Sequence, residues 1–281
     1  MMVSIIDLVR RACGYQFPRL GGLVHRMILG LLPRVINVEL FPGIRAELDM
    51  RNQTDRTTYW QGCRFEKPTP QMLSEWLKSG TKIAAFFDIG SNYGFYSYWV
   101  LSICPEIEVF AFEPNPQTFA KLERIRDMNK LSHLHPYNLG FSDETSLLPL
   151  HPGREDSGHS TFGRHPVLNE ETIASVPVTK FDTWREENQL LLPSKPEWIA
   201  KIDVEGFELR VLRGMENSLK AKAFKALIIE INTFTLDFCG NKPSEVFAFL
   251  RNCGYVPLNE NCAHDFASPE LINTFFAPAE S

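Results

Sequence analysis

The sequence predicts an α/β fold in which a mostly parallel sheet is covered by helices on both faces. From residue 83 onward, apolar runs of strand length alternate with helix-like segments, which is typical of parallel sheets built from βαβ units. Polar residues and glycines directly follow several predicted strands, at the edge where such sheets bind ligands. The 281 residues are 44% hydrophobic, so the chain can bury the core of one large domain with extensions.

Composition and charge narrow the class of protein. The net charge of −5 argues against a nucleic-acid-binding protein. The six cysteines form no C-x-x-C pair, so the sequence predicts neither a zinc site nor a disulfide framework, as is typical of a reducing compartment. No apolar run reaches the roughly 18 residues needed to span a bilayer, and no signal-peptide cleavage site follows a continuous apolar segment. We therefore expect a cytoplasmic protein.

Residues 1–80 are expected to form an extension that precedes a main domain at 81–281. Helical pieces are predicted at Ile5–Val9 and Leu20–Leu32, and residues 1–36 carry five arginines against one acidic residue. A basic, apolar segment could make a peripheral contact with the inner face of an anionic membrane. The alternative, which is slightly favoured, is a helix packed across the main domain.

A hairpin, a helix and a buried strand are predicted next. Alternating apolar residues on both sides of Phe41-Pro42-Gly43 are typical of a β-hairpin, and Leu73–Lys78 favours a helix. The apolar run Ile83–Ile89 has the length of a buried strand and stops at the turn Gly90–Gly94, after which apolar residues resume with helical spacing. Glycines at such a junction let the backbone approach a ligand closely, beside the free N–H groups of the helix.

Asp88 and Glu113 point to a particular kind of ligand. In dinucleotide-binding proteins the strand runs directly into G-x-G-x-x-G, whereas here Asp88 closes the strand and the pattern is D-x-G-x-N-x-G, which suits a positively charged ligand. Glu113 follows the next predicted strand, Glu108–Phe112, where an acidic residue can accept hydrogen bonds from both hydroxyls of a ribose. The alternatives are a loop that binds nothing and a solvated charge at a strand end. Asp88 upstream favours the ribose interpretation.

The rest of the chain continues the alternation with one interruption. A helix is predicted from about Pro116 and a third strand at Leu134–Leu139, and an insertion at about 143–180 contains short strands around a loop rich in glycine, serine and histidine. Long irregular loops in compact domains are often functional. The alternation then resumes through Trp198–Asp203, Glu205–Gly214, Ala226–Ile231, Ser244–Asn252, a strand near Val256 and a strand at Asn273–Ala277.

The strand that ends at Asp203 leads into the densest polar group of the sequence, KIDVEGFE at 201–208. Because alternate side chains of a strand share a face, Lys201 and Asp203 should point the same way. The alternative is a structural Lys-Asp pair followed by a helix N-terminus, which favours acidic residues such as Glu205 and Glu208. Charges at a buried edge are costly unless they are paired or used, so we expect Lys201 and Asp203 to be functional.

Five blocks occur in order between Val38 and Ala277, namely FFDIGSNYGFYS, FAFEPNPQTFAKL, NLGFSDE, IAKIDVEGFELRVLRGM and ALIIEIN. Together they resemble the FkbM family of S-adenosylmethionine-dependent methyltransferases, and the E-P-N-P and K-I-D-V-E-G-x-E blocks are specific. The resemblance implies the class I methyltransferase fold, a Rossmann-like, seven-stranded, mostly parallel sheet whose last strand is antiparallel. It also implies O-methylation of a hydroxyl on a sugar, a glycolipid or a glycosylated natural product.

The resemblance also implies a role for each polar strand end. The methionine moiety of S-adenosylmethionine would be held by Asp88, Gly90, Ser91, Asn92, Tyr93 and Gly94, the ribose by Glu113 with Pro114 and Asn115, and the adenine by Asn138 and Leu139. Ser91 stands where the family commonly has alanine. The candidate catalytic residues are Asp203, Lys201, Glu205 and His159.

Several roles stay open among these catalytic candidates. Asp203 could hold the methionine amine or act as the base, and Lys201 could orient the acceptor or lower a neighbouring pKa. His159 is a second candidate base because imidazole titrates near neutrality. Asp203, Glu205 and Glu230 could form a magnesium site, although no spacing in the sequence requires one.

Two other functions compete with a methyltransferase. An NAD(P)-dependent oxidoreductase would need glycines where Asn92 and Tyr93 stand, and it does not explain Asp88. A protein of the same fold that has lost activity is the other alternative. The expected partner is a small-molecule, glycan or glycolipid acceptor, whose specificity we expect to lie in His151–Val176 and in the N-terminal extension. No nucleic-acid partner is expected, and the sequence indicates no oligomeric state.

Overall fold

The computed structural model describes residues 33–61, 68–78, 83–151, 160–163, 174–194, 197–258 and 271–279. The helices predicted at Ile5–Val9 and Leu20–Leu32 lie outside these ranges. Within them, no helix combines the length and the apolar character that crossing a membrane requires.

The strands of the described residues are β1 (Val35–Phe41), β2 (Ile44–Asp49), β3 (Ala85–Ile89), β4 (Glu108–Phe112), β5 (Leu134–Tyr137), β6 (Gly140–Phe141), β7 (Ser146–Leu150), β8 (Ala174–Thr179), β9 (Trp198–Ile202), β10 (Phe224–Asn232), β11 (Tyr255–Pro257) and β12 (Leu271–Pro278). The helices are α1 (Gln53–Gln61), α2 (Pro68–Lys78), α3 (Phe95–Ile103), α4 (Pro116–Asn129), α5 (Phe181–Glu187), α6 (Glu208–Gly214), α7 (Glu216–Lys220), α8 (Thr233–Phe238) and α9 (Pro243–Asn252).

Seven strands form the central sheet, in the order β11-β12-β10-β9-β3-β4-β5. Strands β5, β4, β3, β9 and β10 run parallel, and β12 is antiparallel to both of its neighbours. This topology confirms the predicted class I methyltransferase fold with its antiparallel last strand. The strand order changes direction between β3 and β9, so the carboxyl ends of these two strands flank the switch point at which open α/β sheets bind ligands.

The N-terminal hairpin and the helix before β3 are confirmed. β1 and β2 pair antiparallel, and their apolar residues alternate into the core because one face of the hairpin is covered. α2 begins at Pro68, ahead of the predicted start at Leu73. The sequence does not predict α1, because QTDRTTYWQ carries no regular apolar stripe.

The predicted insertion contains a small second sheet, in the order β6-β8-β7. β7 and β8 are antiparallel, and β6 runs parallel to β8. Beyond β7, His151 and Thr161 form an isolated antiparallel bridge. This bridge joins residues 160–163 of the insertion to the end of β7.

Two of the predicted boundaries that differ from the structure lie next to polar strand ends. The helix predicted from Glu205 begins at Glu208, because Glu205 and Gly206 have left-handed φ angles of 51° and 97°, which cannot continue a right-handed helix. The third strand ends at Tyr137 instead of Leu139, because Gly140 and the residue after it pair with β8 in the second sheet.

Apolar layers cover both faces of the central sheet. The hairpin, α3 and α4 pack against one face, and α5, α6 and α9 pack against the other. Phe87 belongs to the second layer and stacks on Phe110, with ring centroids 5.2 Å apart. Because side chains alternate along a strand, the neighbouring Asp88 points into the first layer, where a carboxylate has to find polar partners.

Candidate active site

A cleft opens at the carboxyl ends of β3, β4 and β9, at the switch point of the sheet. The empty space within it is about 600 Å³, part of which is open solvent. The lining residues are Ile89, Gly90, Asn92, Phe112, Glu113, Pro114, Leu139, Gly140, Phe141, Ser160, Phe162, Asp203, Val204 and Glu205. The cleft therefore combines apolar surface, backbone and three carboxylates.

The glycine-rich turn is held between β4 and the end of β9. The N–H groups of Gly90 and Ser91 both donate to the carbonyl of Phe112, at 3.0 and 2.9 Å. Gly90 has a φ of 78°, and a Cβ there would lie 1.8 Å from the carbonyl oxygen of Asp203. Any side chain at Gly90 would push the two central strand ends apart, so this glycine is required by a close backbone approach.

Glu113 is the carboxylate that the sequence assigns to a ribose, and it lies in the cleft with only 7% of its surface exposed. Its Oε2 accepts from the N–H of Asn92 and its Oε1 from the N–H of Asn115, both at 2.8 Å. Burial raises the pKa of Glu113 to about 7, against the lowering effect of these two bonds. Each carboxylate oxygen has a second lone pair, so Glu113 can still accept from ligand hydroxyls.

The loop after β5 is tied to the residues around Glu113. The side chain of Asn138 donates from Nδ2 to the carbonyl of Glu113 at 2.8 Å and to that of Pro114 at 3.0 Å. Leu139 follows directly and lines the cleft. Asn138 thus joins the loop after β5 to the loop after β4. Leu139 supplies the apolar surface beside these loops.

Asp88 lies beneath the turn and is not among the residues that line the cleft. It is 2% exposed, and its Oδ2 accepts from the backbone N–H of Ser97 at 3.0 Å and from its hydroxyl at 2.6 Å. Burial raises the pKa of Asp88, while Lys201 and Ser97 oppose that rise. Asp88 therefore ties β3 to α3, and a direct contact between this carboxylate and a methionine moiety remains a prediction.

Lys201 and Asp203 point the same way, as the alternation of strand residues predicts. The Nζ of Lys201 donates to Oδ2 of Asp203 at 2.5 Å, and it lies 4.6 Å from the ring centroid of Tyr96. Lys201 is 2% exposed, whereas Asp203 lines the cleft. The ammonium group is thus buried behind a carboxylate that faces the ligand space, a geometry that suits a positioning role for Lys201.

Three carboxylates meet near the carboxyl ends of β9 and β10. One oxygen from each of Asp203, Glu205 and Glu230 lies within 4.8 Å of the others. An all-oxygen set of this kind could hold a hard divalent cation such as Mg²⁺, and it could equally accept hydrogen bonds from sugar hydroxyls.

Glu208 has a structural position at the start of α6. Its Oε1 accepts from the N–H groups of Val204 and Gly206, at 3.2 and 3.1 Å. Its Oε2 is buried and has no hydrogen-bond partner among the described residues. Burial raises the pKa of Glu208 to about 8, so this side chain is largely a neutral acid at pH 7.

Seven of the fifteen predicted site residues line the cleft, together with residues that sequence reasoning misses; the seven are Gly90, Asn92, Glu113, Pro114, Leu139, Asp203 and Glu205. His159 lies outside the described residues, but Ser160 and Phe162 from the same insertion line the cleft. Only the glycine and serine content of the loop hints at a function there, and no periodicity tells which residue reaches the site. Phe112 and Phe141 are also missed, because buried-looking aromatic residues in strands are usually core residues.

Comparisons with known proteins identify relatives. The family model described as "Methyltransferase FkbM domain" matches residues 88–257, more than half of the chain. The chain is 33% identical over 157 residues to "Hexuronic acid methyltransferase AglP" of Haloferax volcanii, covering 56% of this chain and 59% of that protein. It is 25% identical over 143 residues to "Methyltransferase 1" of Beauveria bassiana, covering 46% of this chain and 57% of that protein. The matched part thus spans less than two thirds of either relative.

Solved structures resemble this chain more distantly. A SAM-dependent methyltransferase from Agrobacterium tumefaciens has a TM-score of 0.43 at 7% identity, covering 87% of this chain and 69% of that chain. A precorrin-6y C5,15-methyltransferase from Geobacter metallireducens has a TM-score of 0.40 at 11% identity, covering 76% and 88%. At these scores the fold is assigned from the strand order and strand directions of the chain itself.

Proposed function

The chain belongs to the FkbM methyltransferase family, and we propose that it is an S-adenosylmethionine-dependent O-methyltransferase that acts on a hydroxyl group of a sugar, a glycolipid or a glycosylated natural product. The observation that carries this proposal is a single cleft that holds both Glu113, suited to a ribose, and the carboxylates Asp203 and Glu205, suited to a hydroxyl substrate. A nicotinamide-dependent oxidoreductase has no comparable support, since Asn92 and Tyr93 replace the glycines of its fingerprint.

The lining of the cleft fits S-adenosylmethionine. Glu113 is fixed by two backbone N–H groups and keeps acceptor capacity for ribose hydroxyls, and Phe112, Leu139 and Phe141 offer apolar surface for a base. The turn at Gly90–Gly94 would hold the methionine end. When bound, the cofactor supplies an electrophilic methyl group on a sulfonium ion.

A carboxylate of the cleft would remove the proton of the acceptor hydroxyl. Asp203 is the first candidate because it lines the cleft while Lys201, at 2.5 Å, holds its Oδ2. A base positioned in this way typically contributes about 10²–10⁴-fold to the rate, and alignment of the reacting oxygen contributes further. Glu205 is the second candidate, and His159 remains a prediction.

A uronic acid or a related sugar is the acceptor class to test first. The Haloferax volcanii relative is described as a hexuronic acid methyltransferase, and the acidic group Asp203, Glu205 and Glu230 suits the recognition of hydroxyls, which are donors to carboxylates. Within a uronic acid, this chemistry favours a hydroxyl over the carboxylate as the methylated group, since a like charge would be repelled.

Divalent-metal dependence is a second candidate property of the same site. The oxygen-only set of Asp203, Glu205 and Glu230 fits Mg²⁺, and a bound cation would supply Lewis acidity near the acceptor hydroxyl. Treatment with EDTA followed by dialysis tests this. Activity that disappears and returns with Mg²⁺ supports a metal-dependent reaction, and activity that is unchanged supports proton removal by a carboxylate alone.

The proposed reaction is tested by incubating the purified protein with isotopically labelled S-adenosylmethionine and a panel of neutral and uronic-acid glycans and glycolipids. We expect a product heavier by one labelled methyl group, and an ether linkage that survives mild alkali. A methyl group lost in mild alkali would be a carboxylate ester and would contradict hydroxyl methylation. The Asp203→Asn variant is the control, because methyl transfer that depends on the cleft should fall in this variant.

A further inference from the structure

Residues Ser160–Gly163, which we call the strap, lie within the insertion, reach the cleft and are held by hydrogen bonds of Ser160 and Thr161. Nδ2 of Asn115 donates to Oγ of Ser160 at 3.1 Å. Oγ1 of Thr161 donates to the carbonyl of Glu205 at 2.8 Å and accepts from the N–H of Gly163 at 3.0 Å. The strap therefore connects the loop after β4 with the turn after β9, two of the elements that form the cleft.

The fit between the strap and its surroundings is close. A Cβ on Gly163 would lie 2.6 Å from Sγ of Cys239, which follows α8. The backbone of Thr161 also pairs with His151 in both directions, at 3.0 and 3.1 Å. These contacts leave Phe162 projecting from a backbone that is fixed on both sides.

Phe162 lies in the part of the cleft that is formed by the residues after β5. Its ring atoms lie 3.1 and 3.2 Å from the position that a Cβ on Gly140 would take, so the ring rests directly on that glycine. Its ring centroid is 5.1 Å from that of Phe207. Gly140 immediately follows Asn138 and Leu139, the residues expected beside the adenine, and Phe162 lines the same cleft.

We propose that Phe162 is an adenine-contacting residue supplied by the insertion, and that the strap positions its ring through Asn115 and the carbonyl of Glu205. The ligand class is an adenine nucleoside, here the nucleoside part of S-adenosylmethionine, so this inference rests on the proposed function. An aromatic ring in contact with a base typically changes affinity by about 5- to 150-fold when it is replaced by alanine. A Cβ at Gly140 would require the ring to shift by a few tenths of an ångström.

The test compares affinities of the purified full chain for S-adenosylhomocysteine and for adenosine by isothermal titration. We expect Phe162→Ala to raise both dissociation constants by a similar factor of about 5- to 150-fold, and Phe162→Tyr to restore most of the affinity. Phe234→Ala is the matched control, since Phe234 is an exposed phenylalanine on α8 that is not among the residues lining the cleft. The affinities of Phe234→Ala for S-adenosylhomocysteine and adenosine should match those of the wild type.

The outcomes separate this inference from the proposed function. If the wild type binds neither ligand, the proposed function fails and this inference fails with it. If the wild type binds both and Phe162→Ala binds them equally well, or loses affinity for S-adenosylhomocysteine alone, only the adenine assignment is overturned. Thr161→Val keeps the ring but removes the fastening hydroxyl, so weakened binding that Thr161→Ser restores supports the positioning by the strap, and unchanged binding contradicts it.

Discussion

The chemistry of the cleft depends on a few carboxylates whose environments differ. Glu113 is buried and fixed by two backbone N–H groups, Asp203 is fixed by a buried ammonium group, and Glu208 is buried with one oxygen that finds no partner among the described residues. The same functional group therefore provides a proposed acceptor for ribose hydroxyls, a candidate base and a buried acid that accepts from the turn before α6. The predictions at this scale follow from these differences.

The affinity for cofactor should depend on pH through Glu113. Its pKa is raised to about 7, and the ionised form accepts hydrogen bonds more strongly and at more sites than the protonated form. If the ionised form alone binds, the dissociation constant of S-adenosylhomocysteine should be about tenfold higher at pH 6 than at pH 8. Isothermal titration at both pH values checks this. Glu113→Gln should bind at least about tenfold more weakly at pH 8 and show little pH dependence, and a wild type with equal affinity at both values would contradict the assignment.

Asp203→Asn should depress turnover far more than it affects folding. The amide keeps an oxygen for Lys201, so the free energy of unfolding should fall by no more than about 3 kcal/mol. Loss of the base should lower turnover by about 100-fold or more. Steady-state methyl transfer and urea unfolding are the two measurements. Nearly normal turnover in Asp203→Asn, with loss of turnover in Glu205→Gln, would move the base to Glu205.

At the scale of elements, the N-terminal hairpin region is tied to the glycine-rich turn. The hydroxyls of Thr58 on α1 and Tyr93 in the turn are hydrogen-bonded to each other. Lys121 on α4 lies 4.1 Å from the ring centroid of Tyr93 and forms an ion pair of 2.5 Å with Asp55 on α1. The extension therefore supports the glycine-rich turn through α1.

The ion pair between Asp55 and Lys121 should show strong coupling. Burial raises the pKa of Asp55 and lowers that of Lys121, while each charge opposes the shift of the other. Lys121→Met would leave a buried carboxylate without its cation, so we expect a loss of about 3–5 kcal/mol in the free energy of unfolding. The double variant Asp55→Asn with Lys121→Met should recover much of it. Additive losses in a urea double-mutant cycle would show that the pair is not coupled.

A helix or strand of this fold can be predicted when the residues that indicate it lie close together in the sequence. β3, α3 and the turn between them are predicted because an apolar run, glycines and helical spacing lie within a short segment. α5 is not predicted, because only Phe181 and Trp184 of its seven residues are buried apolar residues. Phe162 could not be assigned to the cleft, because its position depends on hydrogen bonds to residues more than 40 positions away in sequence. The sequence predicts that Asp88 lies on its strand, but it does not show that the side chain is buried beneath the turn.

At the scale of the whole molecule, two buried acids should make stability fall as pH rises. The folded-state pKa values of Glu113 and Glu208 are about 7 and about 8, above the usual 4.5 of a glutamic acid. Between about pH 4.5 and pH 8, the folded protein thus binds more protons than the unfolded chain. The contribution of these two groups to the free energy of unfolding is therefore present below about pH 4.5 and is lost as pH rises to about 8. Its size is several kcal/mol at most.

Urea unfolding at pH 5.5 and pH 8 checks this contribution. Glu208→Gln mimics the neutral acid and keeps the oxygen that accepts from Val204 and Gly206, so the variant should be more stable than the wild type at pH 8 and similar to it at pH 5.5. Equal pH dependence in both proteins would show that Glu208 titrates normally.

The proposed function depends on which cofactor the protein binds. The most direct measurement is isothermal titration of the purified protein with S-adenosylhomocysteine, in parallel with NADH under the same conditions. The cleft around Glu113 and the family of the chain predict micromolar binding of S-adenosylhomocysteine and no binding of NADH. Binding of NADH alone would contradict the account, since it would mean that Asp88 and the D-x-G-x-N-x-G turn belong to an oxidoreductase.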